Sequence, residues 1–163
     1  MSTRVLDYLA EPQTAVVFDI DGVLAAYEFG NLCHSACPDE DWETYVRQND
    51  PYASVPAIPQ LQDFVSLKDS DRVFACSVAQ DYEAAGKRDF VLRNYAIPAR
   101  NVRIVSSKAE KIDYLREVAR TLGVPERRVA LVEDTVKTLD LVSAQTDCVT
   151  VHVSSFFLWR VPR

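Results

Sequence analysis

The sequence predicts an α/β fold in three layers, helices on both faces of a central parallel sheet of about five strands. Three observations carry that prediction. Short runs rich in β-branched residues recur along the chain, and helix-like segments separate them. The first run, "AVVF" at 15–18, is apolar at every position, as a strand covered on both faces must be. A chain of 163 residues is one domain by length and can bury a full core.

In chain order the expected strands are "AVVF" (15–18), "RVFACS" (72–77), "NVRIVS" (101–106), "RVALVE" (128–133) and "CVTVHV" (148–153). The clearest helix is "KAEKIDYLREVARTLG", where Ile112, Leu115, Val118, Ala119 and Leu122 recur at helical spacing. Ser107 and Glu110 form a capping-box pattern at its start, and Gly123 is placed to end it. Helices with less regular stripes are expected over 58–68, 87–95 and 135–144, and a short one over 41–48. Strand–helix alternation at this spacing gives parallel pairing through crossover helices, a Rossmann-like arrangement.

Residues 25–57 fall outside the alternation. They contain "CPDEDWETY" and several prolines, with no strong period. A loop of that length in a compact domain is functional or disordered. Phe29, Trp42, Tyr45 and Tyr52 speak against disorder, so the segment reads as a long loop or a small lid. The tail "HVSSFFLWR" is apolar enough to pack over the core or to meet a second subunit, core packing being the preferred reading, and His152 within it reads as structural. His34 has no evident partner in the sequence.

Net charge is −6 and the pI about 4.9, which argues against bulk nucleic-acid or anionic-membrane binding while leaving room for a local basic pocket. No apolar run approaches the roughly 18 residues of a membrane span. The opening "MSTRVLDYLAEPQ" lacks the apolar core of a signal peptide, so a cytoplasmic setting is expected. In that setting Cys33, Cys37, Cys76 and Cys148 read as free thiols. "CHSAC" (Cys33, His34, Cys37) suggests zinc only at first sight, because a structural site wants four ligands and no second pair is supplied.

Parallel sheets bind ligands outside the carboxyl ends of their strands. Asp19 follows the first strand, with Asp21 and Gly22 just beyond it. Ser77 ends the second strand, and Glu133 and Asp134 close the fourth. Each has a plainer reading: a simple Asp-x-Asp-Gly turn, a strand-closing serine, an N-cap for the helix at Thr135. Together they bring carboxylates to one place, where repulsion calls for a cation or a proton. An all-oxygen set suits Mg²⁺, which would draw in a phosphate. Ser77, nearby backbone amides and a lysine at a helix start, Lys108 or Lys111, are suitable donors to its oxygens.

"VVFDIDGVL", the serine of "VFACS", the lysine of "KAEKIDYL" and the acidic pair of "ALVEDT" resemble, in order, the four motifs of the haloacid dehalogenase-like superfamily. The resemblance runs from Thr14 to Val153. It implies a phosphatase-type hydrolase with a minimal cap. Asp19 would be the nucleophile that forms an aspartyl-phosphate, and Asp21 the general acid and later base. Ser77 would bind the phosphoryl group. Mg²⁺ would be held by Asp19, the Asp21 carbonyl and Asp134, with Glu133 helping through water. Lys111 lies at the spacing before Gly123 that is similar to many phosphatases of the family, and Lys108 is the alternative phosphate-binding lysine.

The expected function is therefore Mg²⁺-dependent phosphomonoester hydrolysis, on a small phosphorylated substrate or the phosphorylated end of a larger one. The rivals are a phosphotransferase or phosphomutase of the same fold, which usually needs a larger cap, and a catalytically silent phosphate-binding adaptor. A receiver-type phospho-acceptor fits worse, since it would not want Asp21 as an acid.

Overall fold

The computed structural model describes residues 4–27 and 39–160. Five strands, β1 (Ala15–Phe18), β2 (Val73–Val78), β3 (Val102–Val105), β4 (Val129–Glu133) and β5 (Val149–His152), form one sheet in the order β3-β2-β1-β4-β5. Every pairing is parallel. Each strand lies within one residue of its expected bounds, because runs rich in β-branched residues, fully apolar only in the central strand β1, mark where the sheet passes.

β1 is the innermost strand, and all four of its residues are fully buried. Alternation splits it between two cores. Val16 and Phe18 face one, Ala15 and Val17 the other. The first core is covered by α1 (Arg4–Ala10), α4 (Pro59–Leu67) and α5 (Asp81–Asn94). The second is covered by α6 (Lys108–Leu122) and α7 (Val136–Gln145), making three layers. Phe18, Phe64 and Phe156 form an aromatic cluster in the first core, with centroids 5.2 to 6.1 Å apart. Phe156 arrives on a 3₁₀ turn, Val153–Leu158, and packs over the core as expected, while its neighbours Phe157 and Leu158 stay exposed.

The ends of α6 follow the sequence pattern with one change. Ser107 accepts from the Glu110 amide at 3.2 Å, but Glu110 reaches back to the Ser106 amide, 3.0 Å, rather than to Ser107. Gly123 closes the helix at φ +65°, a left-handed position glycine takes without strain. α5 differs more. It begins at Asp81, six residues before the expected start, with the Glu83 carboxylate accepting from the Gln80 amide at 2.9 Å. Its buried residues are Glu83, Lys87, Phe90 and Val91. That is helical spacing with charged residues in the first two places, which hides the stripe from a hydrophobicity reading.

Two further helices, α2 (Trp42–Asn49) and α3 (Pro51–Ser54), lie in the irregular segment and pack on α5. The segment is closed at its base. The Ala26 amide donates to Pro56, 2.9 Å, the Ile58 amide to Leu24, 3.3 Å, and Ala25 pairs with Ala57. "CHSAC" lies outside the described residues. Cys76 and Cys148 are buried and unpaired. No helix among the described residues is long and apolar enough to cross a membrane.

Sheet order reverses between β1 and β4, since the chain winds outward through β2 and β3 on one side and through β5 on the other. The crevice of such a sheet opens at that reversal, beyond the carboxyl ends of β1 and β4. The sequence leaves its carboxylates there.

Candidate functional site

Asp19 continues β1 by one residue: its amide donates to the Val132 carbonyl on β4 at 2.9 Å, which fixes where its side chain leaves the sheet. The carboxylate is nearly buried, and Oδ1 accepts from Lys111 Nζ at 2.9 Å. Lys111 also donates to Glu133 Oε2 at 2.8 Å. One buried cation therefore joins the ends of β1 and β4. Its third N–H meets no acceptor among the described residues. Lys111 rather than Lys108 takes this place because it lies on the buried stripe of α6 beside Ile112. Lys108 lines the same cavity from the exposed first position of that helix.

Asp21 is held separately. Its Oδ2 meets Lys87 Nζ at 2.7 Å and its Oδ1 accepts from the Tyr52 hydroxyl at 3.0 Å. Burial raises the pKa of Asp19, against the pull of Lys111, with Glu133 adding to the rise. Burial likewise raises Asp21, against Lys87. Lys111 goes the other way: burial would lower it, but Asp19 and Glu133 outweigh burial and hold it well above the ordinary lysine range. Carboxyls raised by burial, set beside a lysine that its partners hold charged, give the cavity groups suited to proton transfer and to an anion.

Glu133 Oε1 takes the Thr135 amide at 3.3 Å, which leaves Asp134 free of the helix-capping role its position suggests. The Asp134 carboxylate turns toward β1 instead. There Gly22, at φ +69°, makes room: a Cβ on Gly22 would lie 2.2 Å from Asp134 Oδ2. Asp19, Glu133 and Asp134 thus offer oxygens within 4.8 Å of one another, a hard-ligand set that could hold a divalent cation. The backbone behind Asp134 is steadied from β5, where His152 Nε2 lies 3.1 Å from its carbonyl.

Ser77 is the next-to-last residue of β2, one before the end the sequence suggested because the ladder runs on through Val78, and it lines the same cavity, whose volume is about 120 Å³. Its hydroxyl has one weak partner among the described residues, the Val78 carbonyl at 3.5 Å, so it is available to a ligand oxygen. Of the site residues expected from the sequence, Asp19, Asp21, Ser77, Lys108, Lys111 and Glu133 line this cavity, and Asp134 stands beside Asp19 and Glu133. Lys87, Tyr52 and the cavity-lining Thr135 and Thr138 were not among them. The signal for Lys87 was its place four residues after Glu83 and three before Phe90, on a helix face that should be apolar.

No protein-family model and no curated protein matches this chain.

Proposed function

We propose that this protein is a Mg²⁺-dependent phosphomonoester hydrolase that works through an aspartyl-phosphate on Asp19. The observation that carries the reading is the pair of aspartates at the sheet reversal, each with its own buried lysine: Asp19 on Lys111, Asp21 on Lys87. Two carboxylates held apart in this way can take different roles in one reaction.

In the first step the Asp19 oxygen not bonded to Lys111 attacks phosphorus. The bond from phosphorus to the ester oxygen breaks, and Asp21 gives its proton to that oxygen, releasing an alcohol. In the second step Asp21 takes a proton from water, whose oxygen attacks the same phosphorus. The bond to Asp19 breaks, inorganic phosphate leaves, and both carboxyls return to their starting states. The free N–H of Lys111 and the Ser77 hydroxyl bind phosphoryl oxygens throughout and stabilise the charge they gain. Asp19, Asp134 and the Asp21 carbonyl would hold Mg²⁺, with Glu133 assisting, and the ion would neutralise phosphoryl charge when bound.

The substrate is a phosphate monoester, small or at the exposed end of a larger molecule, met in the cytoplasm. The test is phosphate release from a broad panel of monoesters, with Mg²⁺ or with chelator, for the wild type and Asp19→Asn. Metal-dependent release by the wild type alone is the expected result. Release by Asp19→Asn at the wild-type rate would overturn the nucleophile. Phosphate passed to an added alcohol in preference to water would make the chain a phosphotransferase.

A further inference from the structure

Lys87 is 2% exposed, and its ammonium has three neighbours for its three hydrogens. They are Asp21 Oδ2 at 2.7 Å, the Val78 carbonyl at 3.0 Å and, more loosely, Glu83 Oε1 at 3.5 Å. No hydrogen is left for a substrate, in contrast to Lys111. Lys87 stands behind Asp21 while the Asp21 side chain keeps 25% exposure. A packing role alone would be met by an apolar residue; a buried ammonium is stable only where its charge is answered.

Tyr52 completes the grip on the other oxygen. Its ring lies over Lys87, 5.8 Å from the ammonium to the centroid, and its own carbonyl is clamped by Arg93 at 2.7 Å. The ring packs closely on Gly86, where an added Cβ would lie 3.2 Å from Tyr52 Cδ2 and crowd it. Glu83, beside Lys87, is fixed in turn by the Trp42 indole at 2.8 Å. Both oxygens of Asp21 are thus held by groups that are themselves held.

We propose that Lys87 and Tyr52 are positioning residues that fix Asp21 in the orientation from which it protonates the leaving group. This rests on the phosphatase reading given above. The two residues touch Asp21 and not the phosphate, so their loss should be felt in the proton-transfer step and not in substrate binding.

The experiment compares kcat/KM for phenyl phosphate and 4-nitrophenyl phosphate in the wild type, Lys87→Met and Tyr52→Phe. Phenolate leaves poorly without a proton, whereas 4-nitrophenolate leaves readily. A well-placed general acid contributes about 10² to 10⁴ in rate. Lys87→Met should therefore lose about 10²-fold on phenyl phosphate and at least about tenfold less on the nitro ester, with KM little changed. Tyr52→Phe should shift the same ratio in the same direction by less. Equal losses on both esters, or a change confined to KM, would overturn the positioning role while leaving the phosphatase reading intact. Phosphate release by the wild type from no monoester of the panel would remove both. Thermal unfolding checks the variants, and if Lys87→Met does not fold, Tyr52→Phe, which keeps its ring, decides the ratio.

Discussion

Replacing Gly22 with alanine should damage the site through Asp134, a residue more than a hundred positions away in sequence. The added Cβ would stand 2.2 Å from Asp134 Oδ2 and 2.8 Å from its Cγ. Ordinary contact is about 3.5 Å, so the carboxylate must retreat by roughly 1 Å. The backbone adds its own penalty, since an alanine at φ +69° is held in the left-handed region, at about 1–2 kcal/mol. In a domain of this size that corresponds to a fall in Tm of about 2–8 °C. The functional loss should be larger, because a misplacement of about 1 Å can cost about 10²-fold in rate. The assay is thermal unfolding with and without Mg²⁺, alongside phosphate release. Gly22→Ala should lose both the metal-induced rise in Tm and most of the turnover. On an Asp134→Ala background, where the clashing carboxylate is gone, the same change should cost stability only. If Gly22→Ala kept the Mg²⁺ response and full turnover, the Asp134 carboxylate would not be needed where the structure puts it.

Three other outcomes follow from the same geometry. Lys111→Met strips two buried carboxylates of their shared cation, so stability should fall by about 3–5 kcal/mol, read as a lower midpoint in denaturant at neutral pH. Part of that loss should return on acidification as Asp19 takes a proton. Asp19→Asn should be more stable than the wild type in chelator at neutral pH. A carboxyl whose pKa is raised on folding costs stability once ionised, so the gain should shrink as pH falls and vanish below the ordinary aspartate value of 3.8. Urea titration across pH checks the sign, and added Mg²⁺ should favour the wild type instead. Phe64→Ala, in the aromatic cluster over β1, should cost about 3–5 kcal/mol while leaving the leaving-group dependence of any surviving activity unchanged.

Much of this arrangement was legible in the sequence, for identifiable reasons. The strands announce themselves because a parallel sheet buried on both faces permits little except β-branched and aliphatic residues. Asp19, Ser77, Glu133 and Asp134 stand out because each breaks an apolar run at the point where the chain leaves the core, with a group that burial penalises. Between Lys111 and Lys108 the sequence offered only the spacing before Gly123; the burial of Lys111 beside Ile112 on α6 is what the structure adds. The grip on Asp21 was not legible. Its holders come from α5 and α3, and their apposition is a tertiary fact without a local signature. Glu83 and Lys87 also occupy positions that would normally be apolar, so the very residues that matter weaken the helix signal and conceal its start. Gly22 was readable as a bend, but not as the clearance for Asp134, because that neighbour comes from the end of β4.

The closed base at Leu24–Ala26 and Pro56–Ile58 makes the excursion between them a candidate for exchange. A segment that departs and returns at one point can change length at small entropic cost, about 0.6 kcal/mol for each doubling. Other sequences could thus be grafted into the excursion while leaving the sheet and its acids alone. The graft has a boundary set by chemistry rather than by the backbone. Because Trp42 bonds Glu83, Tyr52 bonds Asp21 and Arg93 holds the Tyr52 carbonyl, the donor sequence should end before Trp42, preserving α2 and α3 as part of the host.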